Sequence, residues 1–114
     1  MKAHLSMIKN GAFLLFSIIL LESCSQAPEK ANPKLYLVEI KTMQFQPSEL
    51  IVHRGDTVVF INRDILVHDV TEETSKAWVS SPLSTGQSFS LVVNESADYY
   101  CSIHPVMKGK LLVQ

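Results

Sequence analysis

The chain has 114 residues, of which 10 are basic and 11 acidic, so its formal net charge is −1 when histidine is neutral. This length allows one domain with one modest hydrophobic core. A nucleic-acid-binding protein would carry a basic stripe, and this nearly neutral sequence has none.

The amino terminus has the pattern of a bacterial lipoprotein signal. Lys2 and Lys9 precede an apolar run over residues 11–21, which is shorter than the roughly 20 residues that a transmembrane helix needs. Leu-Glu-Ser-Cys follows at residues 21–24. We therefore predict a signal peptide over residues 1–23 and lipid on Cys24, which would anchor the protein to a membrane of the cell envelope. The alternative is an uncleaved signal anchor in which Cys24 is a stray thiol.

A flexible tether is predicted next, over residues 24–34, because this stretch is polar and contains Pro28, Asn32 and Pro33. The remaining residues, 35–114, form the single predicted domain. That domain would lie in the periplasm or on the cell surface.

Short stretches of alternating apolar and polar residues fill this domain. They cover residues 35–40, 50–52, 57–61, 89–93 and 110–114. Turn-forming residues separate them at Pro47 and within 54–56, 62–64 and 94–98. Several short strands at such intervals predict an all-β sandwich or barrel. The polar segment 71–87 is predicted to be a long crossing loop with one short strand around Trp78.

His68 lies in an apolar segment, residues 65–70, which we predict to be a strand leading into a polar loop. By itself such a histidine is more often a core or edge residue than a metal ligand. His53 adjoins a predicted turn and is expected at the surface. Met43 offers a competing thioether but is expected in the core, as part of the first strand.

The segment 101–107 brings a thiolate, an imidazole and a thioether together as Cys101, His104 and Met107. Alone, the Cys-x-x-His spacing could be a helical zinc-type pair. Pro105 argues against a continuous helix, because it restricts the residue before it and has no N–H to donate. A loop between two strands would let the three side chains converge. This ligand set favours copper, and two histidines, one cysteine and a distant methionine define the blue-copper site.

From about Leu35 to Gln114 the sequence resembles a cupredoxin of the plastocyanin/amicyanin family, with an amicyanin-like ligand loop. The resemblance rests on the spacing Cys-x-x-His-x-x-Met at 101–107, on Lys-Gly-Lys at 108–110, and on the segments 43–50 and 55–62. It implies a Greek-key β-sandwich or barrel. It also implies one type 1 copper ion per chain, held by His68, Cys101, His104 and Met107.

Three positions beside these ligands depart from the family pattern. Val67 and Asp69 stand where many relatives have proline and asparagine, and Ile103 stands where they have proline. Groups around the ligands tune the reduction potential, so the departures bear on the potential more than on the identity of the metal.

A centre whose positions are all filled by protein leaves none for a substrate, whereas metal catalysis ordinarily needs an open position. The predicted protein is therefore not an enzyme. We expect it to carry single electrons by Cu(I)/Cu(II) cycling between periplasmic or cell-surface redox proteins, whose identity the sequence does not give. It is expected to be a monomer.

Other functions remain open at this point. A copper carrier, buffer or delivery protein could use the same ligands in a more open site. Part of a multicopper oxidase or nitrite reductase would need more histidines than the three that follow the signal, His53, His68 and His104. A domain that has lost its copper would keep the fold alone. A disulfide between Cys24 and Cys101 would remove both the lipid site and the thiolate ligand.

Overall fold

The computed structural model describes residues 32–114 together with Ile18, Ile19 and Leu21, and the regular elements in this part of the chain are strands. Apart from those three residues, the predicted signal peptide lies outside the described part of the chain. Cys24 and the tether up to residue 31 also lie outside it. No helix in the described part is both long enough and apolar enough to cross a membrane.

Eight strands form two four-stranded sheets within residues 32–114. The strands are β1 (Leu35–Lys41), β2 (Gln44–Gln46), β3 (Glu49–Val52), β4 (Thr57–Asn62), β5 (Thr71–Glu72), β6 (Ser88–Val92), β7 (Ala97–Tyr100) and β8 (Lys108–Val113). The first sheet has the order β2-β1-β4-β6 and the second has the order β3-β8-β7-β5. The pairs β1/β4 and β3/β8 are parallel, and the other pairs are antiparallel. The predicted all-β fold class is confirmed.

The hydrophobic core follows from the alternation in β1 and β4. Val38 and Ile40 of β1 and Val58 and Phe60 of β4 are completely buried, because every second side chain of a strand points to the same face of its sheet. Val38 lies beside Phe60 in the parallel pair. Burial of each such side chain stabilises the fold by roughly 1.5–3 kcal/mol. The core thereby fixes the strand ends from which the loops of the site depart.

Tyr99 of β7 is the largest side chain in this core. Its ring packs edge-to-face against Phe45 and Phe60, with centroid separations of 4.8 and 5.2 Å. Gly109 of β8 lies directly opposite Tyr99, and a Cβ atom at Gly109 would come within 2.1 Å of the Tyr99 ring. Burial raises the pKa of the Tyr99 phenol. The absence of a side chain at Gly109 therefore lets the ring lie across β8, two residues before Cys101.

Segment 65–70 forms no strand, so that prediction is wrong. The Asn62 side chain, at the end of β4, accepts the backbone N–H of Asp64 at 2.8 Å. Such side-chain hydrogen bonds to the local backbone stabilise turns. The chain leaves the sheet here, and Ile65 is 90% exposed. Only His68 regains strand-like pairing, as one half of an isolated bridge.

Smaller differences occur elsewhere. Strand β5 lies within the segment 71–87 that was expected to be a crossing loop, and it pairs with β7. Val79 makes only an isolated bridge to Thr71, where a short strand was predicted. Met43 lies in the turn between β1 and β2 with a φ of 58°, although it packs against the core. His53 is exposed, as predicted.

The two loops that carry the candidate ligands, residues 63–70 and 101–107, meet at one end of the sandwich, which we call the ligand end. Lys34, directly before β1, lies at the opposite end, where its N–H donates to Asp56 Oδ1 at 2.8 Å. Strand β1 runs from that end toward the ligand end. Its seven residues span about 20–23 Å at the usual rise of a strand.

Candidate metal centre

His68 is fixed through both its backbone and its side chain. Its N–H donates to the carbonyl of Leu83 at 3.1 Å, and the Leu83 N–H donates back at 2.7 Å. The side chain is completely buried, and its Nε2 lies 3.0 Å from Asp64 Oδ2. Since an ionised carboxylate can only accept, Nε2 carries the proton. Nδ1 is then the nitrogen left to bind a metal.

Backbone hydrogen bonds close the loop of residues 101–107. The Cys101 N–H donates to the carbonyl of Met107 at 3.1 Å, and the Met107 N–H donates to the carbonyl of His104 at 3.0 Å. Pro105 has no N–H to continue a helix, and the segment is a series of turns, as predicted. The main chain therefore holds the three predicted ligands of this loop in one small ring.

The loops bring His68, Cys101 and His104 together at the ligand end. Cys101 Sγ lies 3.7 Å from His68 Nδ1 and 3.8 Å from His104 Nδ1, and the two nitrogens lie 3.2 Å apart. All three donor atoms lie within 4.8 Å of one another. Cys101 and His68 are completely buried, whereas His104 is half-buried. Sequence reasoning predicted this convergence across more than thirty positions of the chain.

These separations suit a single metal ion. Bonds of about 2.0–2.1 Å to histidine nitrogen and about 2.3 Å to cysteine sulfur, as in zinc sites, place the donors of a trigonal centre roughly 3.6–3.8 Å apart. The sulfur-to-nitrogen distances match that range, and the two nitrogens are only slightly closer. One thiolate and two imidazoles are also the ligand types that copper prefers.

Met107 lies at the end of the same loop and is 2% exposed. Its main chain bonds to both Cys101 and His104, which keeps the residue beside the other two. This burial is compatible both with an axial ligand and with a core side chain. The assignment of Met107 as the fourth ligand remains a prediction.

Asp64 is a supporting residue that sequence reasoning missed. Its Oδ2 receives both the His68 ring N–H and the backbone N–H of Met43, the latter at 3.1 Å. The hydrogen bond from His68, followed by that from Met43, lowers the pKa of the Asp64 carboxyl. The carboxylate thus connects His68 to the β1–β2 turn. A carboxylate four residues before a candidate ligand histidine was the available signal.

Asp69 joins the two loops. Its backbone N–H donates to Cys101 Sγ at 3.4 Å. Its Oδ1 accepts the Ser102 N–H at 2.6 Å and the Thr71 hydroxyl at 3.2 Å, and its Oδ2 accepts the Ser102 hydroxyl. The sequence marked Asp69 only as a departure from a family pattern. It gave no sign that Asp69 would be bonded to the residue after Cys101.

The two ligand loops expose five apolar side chains at the ligand end, where the half-buried His104 also reaches the surface. Val106 is 85% and Ile65 is 90% exposed, and Ile103, Leu66 and Val67 are between 42% and 46% exposed. These five residues belong to the two ligand loops, and we call them the apolar rim. Protein surfaces rarely concentrate so many exposed apolar side chains without a binding role.

Comparisons with known proteins agree with this geometry. The profile described as copper binding proteins, plastocyanin/azurin family, matches residues 34–114. Amicyanin from Paracoccus denitrificans is 36% identical over 99 residues, covering 82% of this chain and 75% of that protein. Amicyanin-alpha from Methylorubrum extorquens is 32% identical over 100 residues, covering 82% and 81%. A solved structure of an amicyanin mutant in its reduced state has a TM-score of 0.64 at 32% identity, covering 70% of this chain and 82% of that chain.

Proposed function

The chain belongs to the plastocyanin/azurin family of copper-binding proteins, and on this premise we propose that it carries single electrons between redox proteins of the bacterial cell envelope. The observation that carries the proposal is the convergence of His68, Cys101 and His104 at one end of the sandwich. Copper, when bound, supplies the one-electron change between Cu(I) and Cu(II). The protein is a blue copper electron carrier and not an enzyme.

The proposed ligands are His68 Nδ1, Cys101 Sγ, His104 Nδ1 and the thioether of Met107. The two loops give them different burial: His68, Cys101 and Met107 are buried, and only His104 reaches the surface. Side chains that fill every position and exclude water leave no place for a substrate. This arrangement supports electron transfer over metal catalysis.

Rigid support of the ligands favours rapid cycling between oxidation states. His68 is held by the Leu83 backbone and by Asp64, and the Cys101–Met107 ring is closed by its own backbone. Residues held in this way keep their positions when the charge at the centre changes by one, so little of the surroundings must rearrange.

Redox partners would dock at the apolar rim around His104. This imidazole is the ligand with surface exposure, and the exposed Val106 and Ile103 adjoin it in the sequence. Redox encounters tend to have small interfaces, which permits rapid release after transfer. An apolar rim of five side chains suits such a brief contact.

Membrane tethering through lipid on Cys24 completes the proposal. Lys34, directly before β1, lies at the end of the sandwich opposite the ligand end and is bonded to Asp56. A tether attached there leaves the apolar rim free for partners in the periplasm or at the cell surface. The protein would act there as a monomer. Mass spectrometry of the purified full chain tests this part, since an acylated amino-terminal Cys24 is expected and an intact Met1 would contradict it.

The copper centre is tested by visible absorption and electron paramagnetic resonance of the full chain in mild detergent with one equivalent of Cu(II). We expect an intense blue thiolate-to-copper band and narrow copper hyperfine splitting. Cys101→Ser should abolish both, whereas the surface variant Ser84→Ala should leave them unchanged. A colourless protein that binds only Cu(I) and exchanges it rapidly would instead indicate a copper carrier.

A further inference from the structure

The carboxylate of Asp69 is a buried negative charge beside the copper centre. The residue is 6% exposed. Its oxygens lie among donors only, which are the backbone N–H of Ser102 and the hydroxyls of Ser102 and Thr71. An ionised carboxylate is acceptor-only and suits such a set of donors.

Nothing in the described part of the chain neutralises this charge by an ion pair. Glu73 is paired with Lys108, but Asp69 forms no salt bridge there. It is also bonded to both ligand-bearing segments. Asp69 follows His68 in the sequence, and its backbone N–H donates to Cys101 Sγ. Its carboxylate accepts the backbone N–H of Ser102.

A negative charge buried close to a metal acts through a low effective dielectric and is screened little by salt. It stabilises the more highly charged ion, so Cu(II) gains more than Cu(I). Building on the proposed function, we propose that the Asp69 carboxylate lowers the reduction potential of the centre below the value that a neutral side chain of the same shape would give. The protein is thereby a stronger reductant toward its electron acceptor.

The competing role for Asp69 is purely structural: its hydrogen bonds would act only as a clamp that holds the two ligand loops together. The substitution Asp69→Asn distinguishes the electrostatic role from the structural one. The asparagine carbonyl can still accept from the Ser102 N–H and the Thr71 hydroxyl, and its amide can donate to the Ser102 oxygen, because a hydroxyl serves as donor or acceptor. This change removes the charge and keeps the clamp, whereas Asp69→Ala removes both.

The test is a redox titration of copper-loaded full-length chains, followed at the blue band, together with urea unfolding of the copper-free chains. The variants are Asp69→Asn, Asp69→Ala and a control, Glu95→Gln, which removes an exposed carboxylate before β7. We expect Asp69→Asn to raise the midpoint potential well beyond the change in the control, equally at low and high salt. Only Asp69→Ala should lose substantial stability.

An unchanged or lower potential in Asp69→Asn would overturn the proposal, as would a shift that disappears at high salt. A folded Asp69→Asn chain that no longer forms the centre would assign Asp69 a structural role and overturn it too. Absence of a blue centre in the parent chain is a separate result, seen before any variant is made, and rejects the proposed function itself.

Discussion

The two ligand loops reach the same point by different means. The Cys101–Met107 loop is short, closed by its own main chain, and carries three of the four proposed ligands. The loop over 63–70 carries only His68, which is held by Leu83 from a distant part of the chain and by Asp64, whose carboxylate also accepts the Met43 N–H of the β1–β2 turn. The first loop is held by local hydrogen bonds and brings His104 to the surface, whereas the second loop buries its one ligand, His68. Substitutions should therefore act on the two loops in different ways.

The largest expected effect lies beneath the 101–107 loop, at Gly109. In Gly109→Ala the new methyl group would overlap the Tyr99 ring, which Phe45 and Phe60 prevent from moving away. Overpacking of this kind typically costs 1–3 kcal/mol, and with so deep an overlap we expect about 3 kcal/mol in the free energy of unfolding. Urea unfolding of the copper-free chain measures it.

Gly86→Ala is the matched control for that substitution. A Cβ at Gly86 meets no atom within 4 Å, but its φ of +85° disfavours a side chain. Backbone strain of this kind costs about 1–2 kcal/mol. A loss at Gly109 no greater than that at Gly86 would mean that Tyr99 can move aside.

The next effect concerns the loop over 63–70. Asn62 is completely buried; its side chain donates to the carbonyls of Leu66 and Leu83 and accepts the Asp64 N–H. Asn62→Ala removes all three bonds, and each hydrogen bond contributes about 1 kcal/mol. We expect a loss of about 2–3 kcal/mol in urea unfolding. The blue band should also change, because His68 follows this turn. A stability loss with an unaltered spectrum would show that His68 keeps its place without Asn62.

The same contrast explains what could be predicted from the sequence. The 101–107 loop could be interpreted directly, because its ligands lie within seven residues and Pro105 restricts the backbone between them. The strands and the all-β class followed from alternation in β1 and β4. Both signals are local.

The supports of His68 could not be predicted in this way. The apolar residues of 65–67 favoured a strand, but Asn62 turns the chain off the sheet and leaves Ile65 exposed in the apolar rim. The bridge between His68 and Leu83 joins residues from different parts of the chain. Periodicity carries no information about such long-range pairs, so the ligand was predicted and its surroundings were not.

A smaller effect is expected at Asp64. Asp64→Asn keeps an acceptor oxygen for Met43 and His68 but removes the charge from the bond to the His68 ring. Charge-assisted hydrogen bonds are roughly twice as strong as neutral ones, so we expect a loss of about 1 kcal/mol. Thermal unfolding of the copper-free chain measures the change. Asp98→Asn, which alters an exposed carboxylate, should have little effect. Equal losses in the two variants would mean that Asp64 does not support His68.

Acid should lower the stability of the fold, because it protonates Glu72 of β5. Glu72 accepts the N–H groups of Ser75, Ala77 and Thr74, and these bonds, that of Ser75 foremost, lower its pKa to about 2 from 4.5. A lowered folded-state pKa means that stability is fully present above the unfolded value and is lost as the pH falls. We therefore expect unfolding stability to decline between pH 4.5 and about 2. Glu72→Gln should flatten that decline, and an identical pH profile in the variant would contradict the assignment.

The smallest effect on stability, and a selective effect on function, is expected at Val106. This side chain is 85% exposed, and surface substitutions usually change stability by no more than about 0.5 kcal/mol. Val106→Ser should nevertheless slow electron self-exchange between two copies of the protein several-fold, because it makes the apolar rim more polar where two His104 edges would meet. Val92→Ser, at an exposed position at the other end of the sandwich, is the matched control.

Line broadening in nuclear magnetic resonance spectra of partly oxidised samples gives the self-exchange rate without any knowledge of the natural partner. Equal rates in the two variants would mean that electrons pass through a part of the surface away from the 101–107 loop. Slowing only in Val106→Ser would mean that electrons pass through the surface at the 101–107 loop. Val92→Ser makes the same change from apolar to polar, but Val92 lies far from both ligand loops.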